Sequence, residues 1–364
     1  MIARKQMRGL AAVVLLAMAG GGWWLTVPRA GALLPRGSVK SASVSDWGEK
    51  NRRPFPLPAA KTYFWTDRGD LMRYRRNQDG STEVVRDRLT PSDSLQPDTA
   101  SPVKIPGGAA FLQPTPDGSG LLYWRPSAVH IHDWDVYLRS ADGKTDRLLS
   151  ALYMENLVWM PDGKHWIVSR MDGDFLCSLD GVPFRQLNTT SLSQWTPYVL
   201  GVNRQSHAIA TLGNDWFEAP DPSHQITGVN YPALSLQEFD PLAPSRSPRK
   251  WRVQAPSGCS RGQIVFSPRA DRILWIVDKQ EPALKVWMQR LRLENKQGVA
   301  GDEALYVSRV DGSEMKELSS TPLDRQKWGS TVFVTKPLSD IRWLPDGKRI
   351  SYVYKNALYI APVN

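Results

Sequence analysis

Trp343-Leu344-Pro345-Asp346-Gly347-Lys348-Arg349-Ile350 is the stretch whose reading decides the fold. Proline presets φ at the second position of a tight turn, aspartate caps the turn through its own side chain, and glycine takes the positive φ that closes it. With an apolar run on either side, the octapeptide reads as a β-hairpin. The same signature stands at Thr115-Pro116-Asp117-Gly118 and Met160-Pro161-Asp162-Gly163, and in altered form at Ser267-Pro268-Arg269-Ala270-Asp271. Each copy is followed by a β-branched or aromatic run: Leu121 to Trp124, His165 to Ser169, Ile273 to Val277 and Ile350 to Tyr354. A hairpin that recurs in this way is the unit of a repeat architecture.

The spacing says which one. Pro116 and Pro161 lie 45 residues apart, and a degenerate turn at Asn203-Arg204-Gln205 lies 42 beyond Pro161. Units of about 40 to 45 residues with four strands each are the blades of a β-propeller. The next intervals, 65 and 77 residues, read as blades carrying insertions. A second turn series, Asp79-Gly80, Asp142-Gly143, Asp180-Gly181 and Asp311-Gly312, closes a later hairpin in the same units. The expectation is an all-β chain, a β-propeller of about six four-stranded blades. Its last unit has three strands and needs a fourth from elsewhere. The first unit, Lys61 to Val85, reads as three strands without an inner one, so the two ends are expected to meet and close the ring.

These motifs resemble the WD40-like (PD40) repeats of TolB-type β-propellers. The match is carried best by the octapeptide above with Leu358-Tyr359-Ile360, and next by Leu305-Tyr306-Val307 with Asp311-Gly312. The resemblance spans about Lys61 to Asn364 and implies the propeller fold. TolB itself carries an α/β domain ahead of its propeller, whereas about sixty residues precede the first unit here, so the likeness is to the propeller and not to TolB as a whole. Propeller-bearing peptidases add a hydrolase domain, but no Gly-x-Ser-x-Gly elbow occurs in this sequence.

The remaining organisation follows from composition. Residues 1–28 read as a signal anchor or signal peptide, 29–60 as a Pro-, Gly- and Ser-rich linker, and 61–364 as the propeller. Arg4, Lys5 and Arg8 precede an uncharged apolar run from Gly9 to Val27, which is long enough to span a bilayer, with Trp23 and Trp24 placed for the interface. A cleaved signal peptide ending near Ala17-Met18-Ala19 is the competing reading. Both predict a membrane or signal helix and a periplasmic or extracytoplasmic propeller, anchored in the inner membrane by residues 9–27 if the helix is retained. The net charge of +10 is concentrated in the first forty residues and at Arg246, Arg249, Lys250 and Arg252. No series of aromatics interleaves there for base stacking, so no nucleic acid is expected as a partner. Cys177 and Cys259 are too few for a disulfide scaffold and read as small buried residues. Trp65, Trp124, Trp159, Trp275 and Trp343, on expected strands, read as packing between blades.

Function is sought in the loops. Both short turn series fall on one face of the expected ring, and the long segments fall on the other: Arg86 to Gly108, Gly213 to Pro232, Asp278 to Glu303 and Ser319 to Ser339. Loops on a rigid scaffold carry binding and catalysis. Trp216 and His224 combine with carboxylates in one loop, and Arg325, Lys327 and Trp328 form a basic aromatic cluster in another. Trp216, His224, Arg325 and Trp328 are therefore the binding candidates. His130, His132 and Asp133, alternating on an extended segment, are the nearest approach to a metal site, and the plainer account is a surface loop. No catalytic set and no cofactor motif emerge. The expected role is binding or scaffolding at the bacterial cell envelope, with an envelope protein or a cell-wall carbohydrate as ligand. The rival reading is a propeller hydrolase or lyase acting on a sugar or lactone at the mouth of the channel.

Overall fold

In the computed structural model, the residues described are 34–35, 37–44, 63–76, 81–99, 102–106, 109, 112–127, 134–151, 156–170, 173–180, 185–187, 199–211, 233–243, 247–279, 302–322, 324–328, 331–335 and 338–363. They form six antiparallel sheets arranged as the blades of a propeller, and among them there is no helix. We letter the strands of each blade A to D outward from the channel. Blade 1 consists of Tyr63–Trp65, Asp70–Arg76, Thr82–Leu89 and an outer strand in two pieces, Leu95–Pro97 and Val103–Ile105. Blade 2 runs Leu112–Pro114, Gly120–Pro126, Trp134–Ser140 and Asp146–Ala151, and blade 3 runs Asn156–Trp159, His165–Arg170, Gly173–Ser178 and Arg185–Leu187. Blade 4 runs Val199–Val202, Ala208–Thr211, Ala233–Phe239 and Arg249–Gln254, and blade 5 runs Cys259–Phe266, Arg272–Lys279, Asp302–Arg309 and Lys316–Pro322. Blade 6 takes Leu338–Trp343, Arg349–Tyr354 and Ala357–Pro362 from the C-terminal end of the chain and its outer strand, Val39–Ser43, from the other end.

The ring is thus closed by pairing of the two ends, as expected, but through different residues. Val39 lies opposite Ile360 and Ser43 opposite Ala357. Val39–Ser43 falls within the stretch 29–60 read as linker. It is an outermost strand with no face buried throughout, so its sequence, Val-Lys-Ser-Ala-Ser, shows no apolar alternation to read. Blade 1 does not lack an inner strand either. Tyr63–Trp65 supplies it, followed by the turn Thr66-Asp67-Arg68-Gly69, which has no proline. Arg86 to Gly108 is correspondingly not a long loop, since most of it is built into the outer half of blade 1.

All six A–B turns share one geometry. The amide of the fourth residue donates to the carbonyl of the first: Gly69 to Thr66, Gly118 to Thr115, Gly163 to Met160, Ser206 to Asn203, Ala270 to Ser267 and Gly347 to Leu344. That fourth residue has positive φ in every copy, including Ser206 (63°) and Ala270 (50°). The aspartates act as expected: Asp162 Oδ1 accepts from the amides of Lys164 and His165, and Asp346 Oδ1 from those of Lys348 and Arg349. Asn203 does the same in the degenerate copy, accepting from Gln205 and His207. Burial raises the Asp162 carboxyl, and the bonds from His165 and Lys164 outweigh that and hold it below the ordinary carboxylate range.

Between blades the core is apolar and aromatic. Trp166 and Trp124 pack between blades 2 and 3, Trp275 between blades 4 and 5, and Trp343 between blades 5 and 6. Cys177 and Cys259 are buried in two of these separate cores. On the turn face the blades are also latched by polar groups. The outer strand of one blade donates to a carbonyl in the C–D turn of the next: Arg147 to Leu179, Arg185 to Pro241, and Trp251 Nε1 to Val310 at 3.1 Å. Gly312 in the C–D turn of blade 5 leaves room for the outer strand of blade 4, since a Cβ there would stand 2.9 Å from Val253 Cγ1.

These turns make a graded prediction. A Cβ at Gly163 (φ 66°) would meet nothing within 4 Å, so Gly163→Ala should cost only the left-handed backbone strain, about 1–2 kcal/mol. Gly312→Ala adds the collision with Val253 to the same strain and should cost more. Denaturant unfolding of both variants checks the order; an equal loss would show that the blade-to-blade fit at Gly312 adds nothing.

Candidate functional site

The strand order gives the two faces of the ring different connections. On one face every A–B connection is a tight turn, and the C–D connections are short as well. From the other face leave the B–C and D–A connections, which include residues 188–198, 212–232, 280–301 and 323–337. Trp216 and His224 belong to the second of these and lie outside the described residues, as do His130, His132 and Asp133. Arg325 and Trp328 stand on a strand, Asp324–Trp328, which pairs with Thr331–Thr335 to form a two-stranded hairpin between blades 5 and 6. Among the described residues no group of three His, Cys, Asp or Glu is placed to hold a metal ion. The apolar run 9–27 also lies outside the described residues, and no described helix is long and apolar enough to cross a membrane.

Among the described residues, one inter-blade polar network is one that sequence reasoning missed. It lies where blade 6 meets blade 1. The Tyr63 hydroxyl donates to the carbonyl of Asp340 at 2.6 Å. Having one proton, it accepts from Ser351 Oγ at 3.0 Å, and Ser351 Oγ in turn accepts from Trp65 Nε1 at 2.8 Å. The chain Trp65 to Ser351 to Tyr63 to Asp340 crosses the seam three times. Each bond in such a chain polarises the next. Asp340 can offer its carbonyl because the strand is irregular there, with φ of 48° and a register shift between Ser339 and Arg342. The Arg342 guanidinium lies 5.0 Å from the ring centre of Tyr63 and 4.8 Å from that of Phe64. Burial pushes the Tyr63 phenol well above its ordinary range, and the nearby Arg342 charge only partly offsets this, so the hydroxyl stays protonated. Within blade 1, Arg73 forms an ion pair with the buried Asp87 at 2.5 Å.

This arrangement is suited to holding two blades together. Arg342 stands on the innermost strand of blade 6, half-buried, with its guanidinium set against two rings of blade 1. Neither Arg342 nor Ser351 carries a sequence signal: both follow ordinary strand patterning, and only ring closure places them against Tyr63.

Comparison with known proteins adds fold likeness only. No protein-family model matches the sequence, and no curated protein does. Among solved structures the chain is similar to an oligogalacturonate lyase in complex with manganese, at 13% identity and a TM-score of 0.45, covering 83% of this chain and 76% of that one. It is similar to TolB from Acinetobacter baumannii at 11% identity and a TM-score of 0.40, covering 80% of this chain and 63% of that one. An oligogalacturonate lyase from Vibrio parahaemolyticus matches at 9% identity and a TM-score of 0.43, over 83% of this chain and 77% of that one. Lyases and TolB stand side by side among these structures, and fold alone does not fix a function.

The seam yields a stability prediction. Ser351 is fully buried and is the middle link of the chain, so Ser351→Ala leaves the Trp65 donor and the Tyr63 oxygen without that partner. The expected loss is about 1–3 kcal/mol, measured by denaturant unfolding. A change within error would mean that the seam does not depend on this chain.

Proposed function

We propose that this chain is an exported β-propeller, held at the bacterial inner membrane by residues 9–27, that binds an envelope protein or a cell-wall carbohydrate on its loop-rich face. The observation that supports this reading is the asymmetry of the ring. One face is trimmed to tight turns that latch neighbouring blades, while the long connections leave from the other. A rigid ring with one elaborated face is the usual division of labour between scaffold and binding surface. Trp216, His224, Arg325 and Trp328, all on connections of that face, are the contact residues of the proposal.

Two experiments test the two halves of the reading. Buried interface tryptophans typically contribute about 2 kcal/mol or more to binding. Trp216→Ala or Trp328→Ala should therefore weaken capture of the crosslinked partner at least about tenfold and leave the melting temperature nearly unchanged. Asp162→Ala and Asp346→Ala, which remove turn caps on the opposite face, should lower the melting temperature and spare capture. The reverse pattern would overturn the assignment of the binding face. For export, Leu15→Arg combined with Leu16→Arg should cost about 2.5–3.5 kcal/mol of insertion per charge and abolish the signal of a reporter active only outside the cytoplasm. Undiminished signal would mean that residues 9–27 do not direct the chain.

A further inference from the structure

The hairpin between blades 5 and 6 stands apart from the ring in its pairing. Asp324–Trp328 and Thr331–Thr335 pair with each other, Asp324 opposite Thr335 and Trp328 opposite Thr331, and with no other strand among the described residues. A two-stranded sheet is marginal in water, and three or four strands make a stable one. Each of its strands also has an outer edge on which alternate residues present backbone N–H and C=O groups.

The two edges differ in sequence. Asp324-Arg325-Gln326-Lys327-Trp328 carries three charges. Paired with its own copy about Gln326, it would place Arg325 opposite Lys327, and like charges directly opposite are destabilising. Thr331-Val332-Phe333-Val334-Thr335 carries no charge and no proline, and it reads the same in both directions. An antiparallel pair of this strand with itself, centred on Phe333, sets Phe opposite Phe, Val opposite Val and Thr opposite Thr. This match holds whichever alternate residues point their backbone groups outward, because the centre residue is its own partner. Cross-strand pairs of aromatic and β-branched residues are the favourable ones in sheets. The strand is self-complementary in the one orientation that a twofold axis requires.

We infer that Thr331–Thr335 is a self-association edge: two copies of this chain join through it about a twofold axis at Phe333, making a four-stranded sheet from two hairpins. Two of the outer blade edges are poor competitors. The outer strand of blade 4 is exposed and places Arg249, Lys250 and Arg252 on its edge, and the outer strand of blade 6 is the short Val39–Ser43. Self-association through this edge does not depend on the proposed partner binding, since the contact residues assigned there, Arg325 and Trp328, lie on the other strand.

The test is the association state of the full chain in detergent micelles, followed by sedimentation equilibrium. The unaltered chain should form dimers. Phe333→Lys and Phe333→Glu, each alone, should raise the dissociation constant at least tenfold while leaving the thermal unfolding of the propeller unchanged. An equimolar mixture of the two should bring dimers back, because the twofold axis puts lysine opposite glutamate. Phe333→Cys should crosslink to dimers on mild oxidation, since Cα atoms of directly opposed residues lie roughly 4.5–5.5 Å apart, within disulfide reach. Cys177 and Cys259 are buried and do not compete. The inference is overturned if the unaltered chain stays monomeric up to its solubility limit, or if it dimerises without crosslinking through Phe333→Cys. Should a charged variant unfold, the cysteine variant alone decides.

Discussion

Everything else in the molecule depends on one constraint: the ring has to be joined to itself without a covalent bond. Five of the six blades are continuous pieces of chain, and the sixth is assembled from both ends. Two interactions make the join. The strand Val39–Ser43 completes the outside of blade 6, and the hydrogen-bond chain from Trp65 through Ser351 and Tyr63 to Asp340 ties blades 1 and 6 near the channel. These bonds connect residues 277 to 288 positions apart. Bringing such distant segments together costs loop-closure entropy before any contact returns it. Closure in turn removes the two ragged edges that an open row of blades would expose.

A ring closed in this way must resist opening at the other inter-blade joints as well, and the turn face is where it does so. Arg147, Arg185 and Trp251 each reach from an outer strand to a carbonyl in the following blade's C–D turn, and Arg349 of blade 6 reaches Asp93 of blade 1. Glycines at positive φ make these contacts fit, which ties the turn chemistry read in the sequence to the packing of blades. A face used for latching has little freedom to vary. The opposite face has no such duty in the described residues, and that is where the chain has placed its long connections.

The fold was legible because its signal is local and repeated. Pro-Asp-Gly encodes a turn wherever it stands, and the spacing of copies counts blades. The same reasoning went wrong where local chemistry was absent. Thr66-Asp67-Arg68-Gly69 makes the same turn as Leu344-Pro345-Asp346-Gly347 but without proline, so the inner strand of blade 1 went unrecognised. Val39–Ser43 reads as linker because this outer strand buries neither face and leaves no alternation. The segment Ser319 to Ser339 reads as a long loop, although Thr331–Thr335 is strongly β-forming, because the strands Asp324–Trp328 and Thr331–Thr335 fall outside the four-strand count of a blade. Of the candidate site, Trp216 and His224 lie outside the described residues, and Arg325 and Trp328 are placed by backbone alone. The seam residues Arg342 and Ser351 were illegible for a different reason: their partners are chosen by ring closure, which no stretch of sequence records.

The basic cluster at Arg249 to Arg252 now has a physical account. It is the outer strand of blade 4, with Arg249, Lys250 and Arg252 exposed and Trp251 turned to donate to Val310 of blade 5. One residue of this strand latches the ring while its neighbours place charge along an edge that would otherwise template pairing with another chain. Glu238 offsets only part of that charge, lying 4.0 Å from Arg249. A propeller is obliged to leave such outer edges, one per blade, and charge is a way of blunting them. Measured against that rule, Thr331–Thr335, uncharged, strongly β-forming and paired on one side with Asp324–Trp328, is out of keeping with the outer edge of blade 4. The charge that blunts the edge of blade 4 is missing from Thr331–Thr335, and an uncharged, β-forming edge is one that templates pairing.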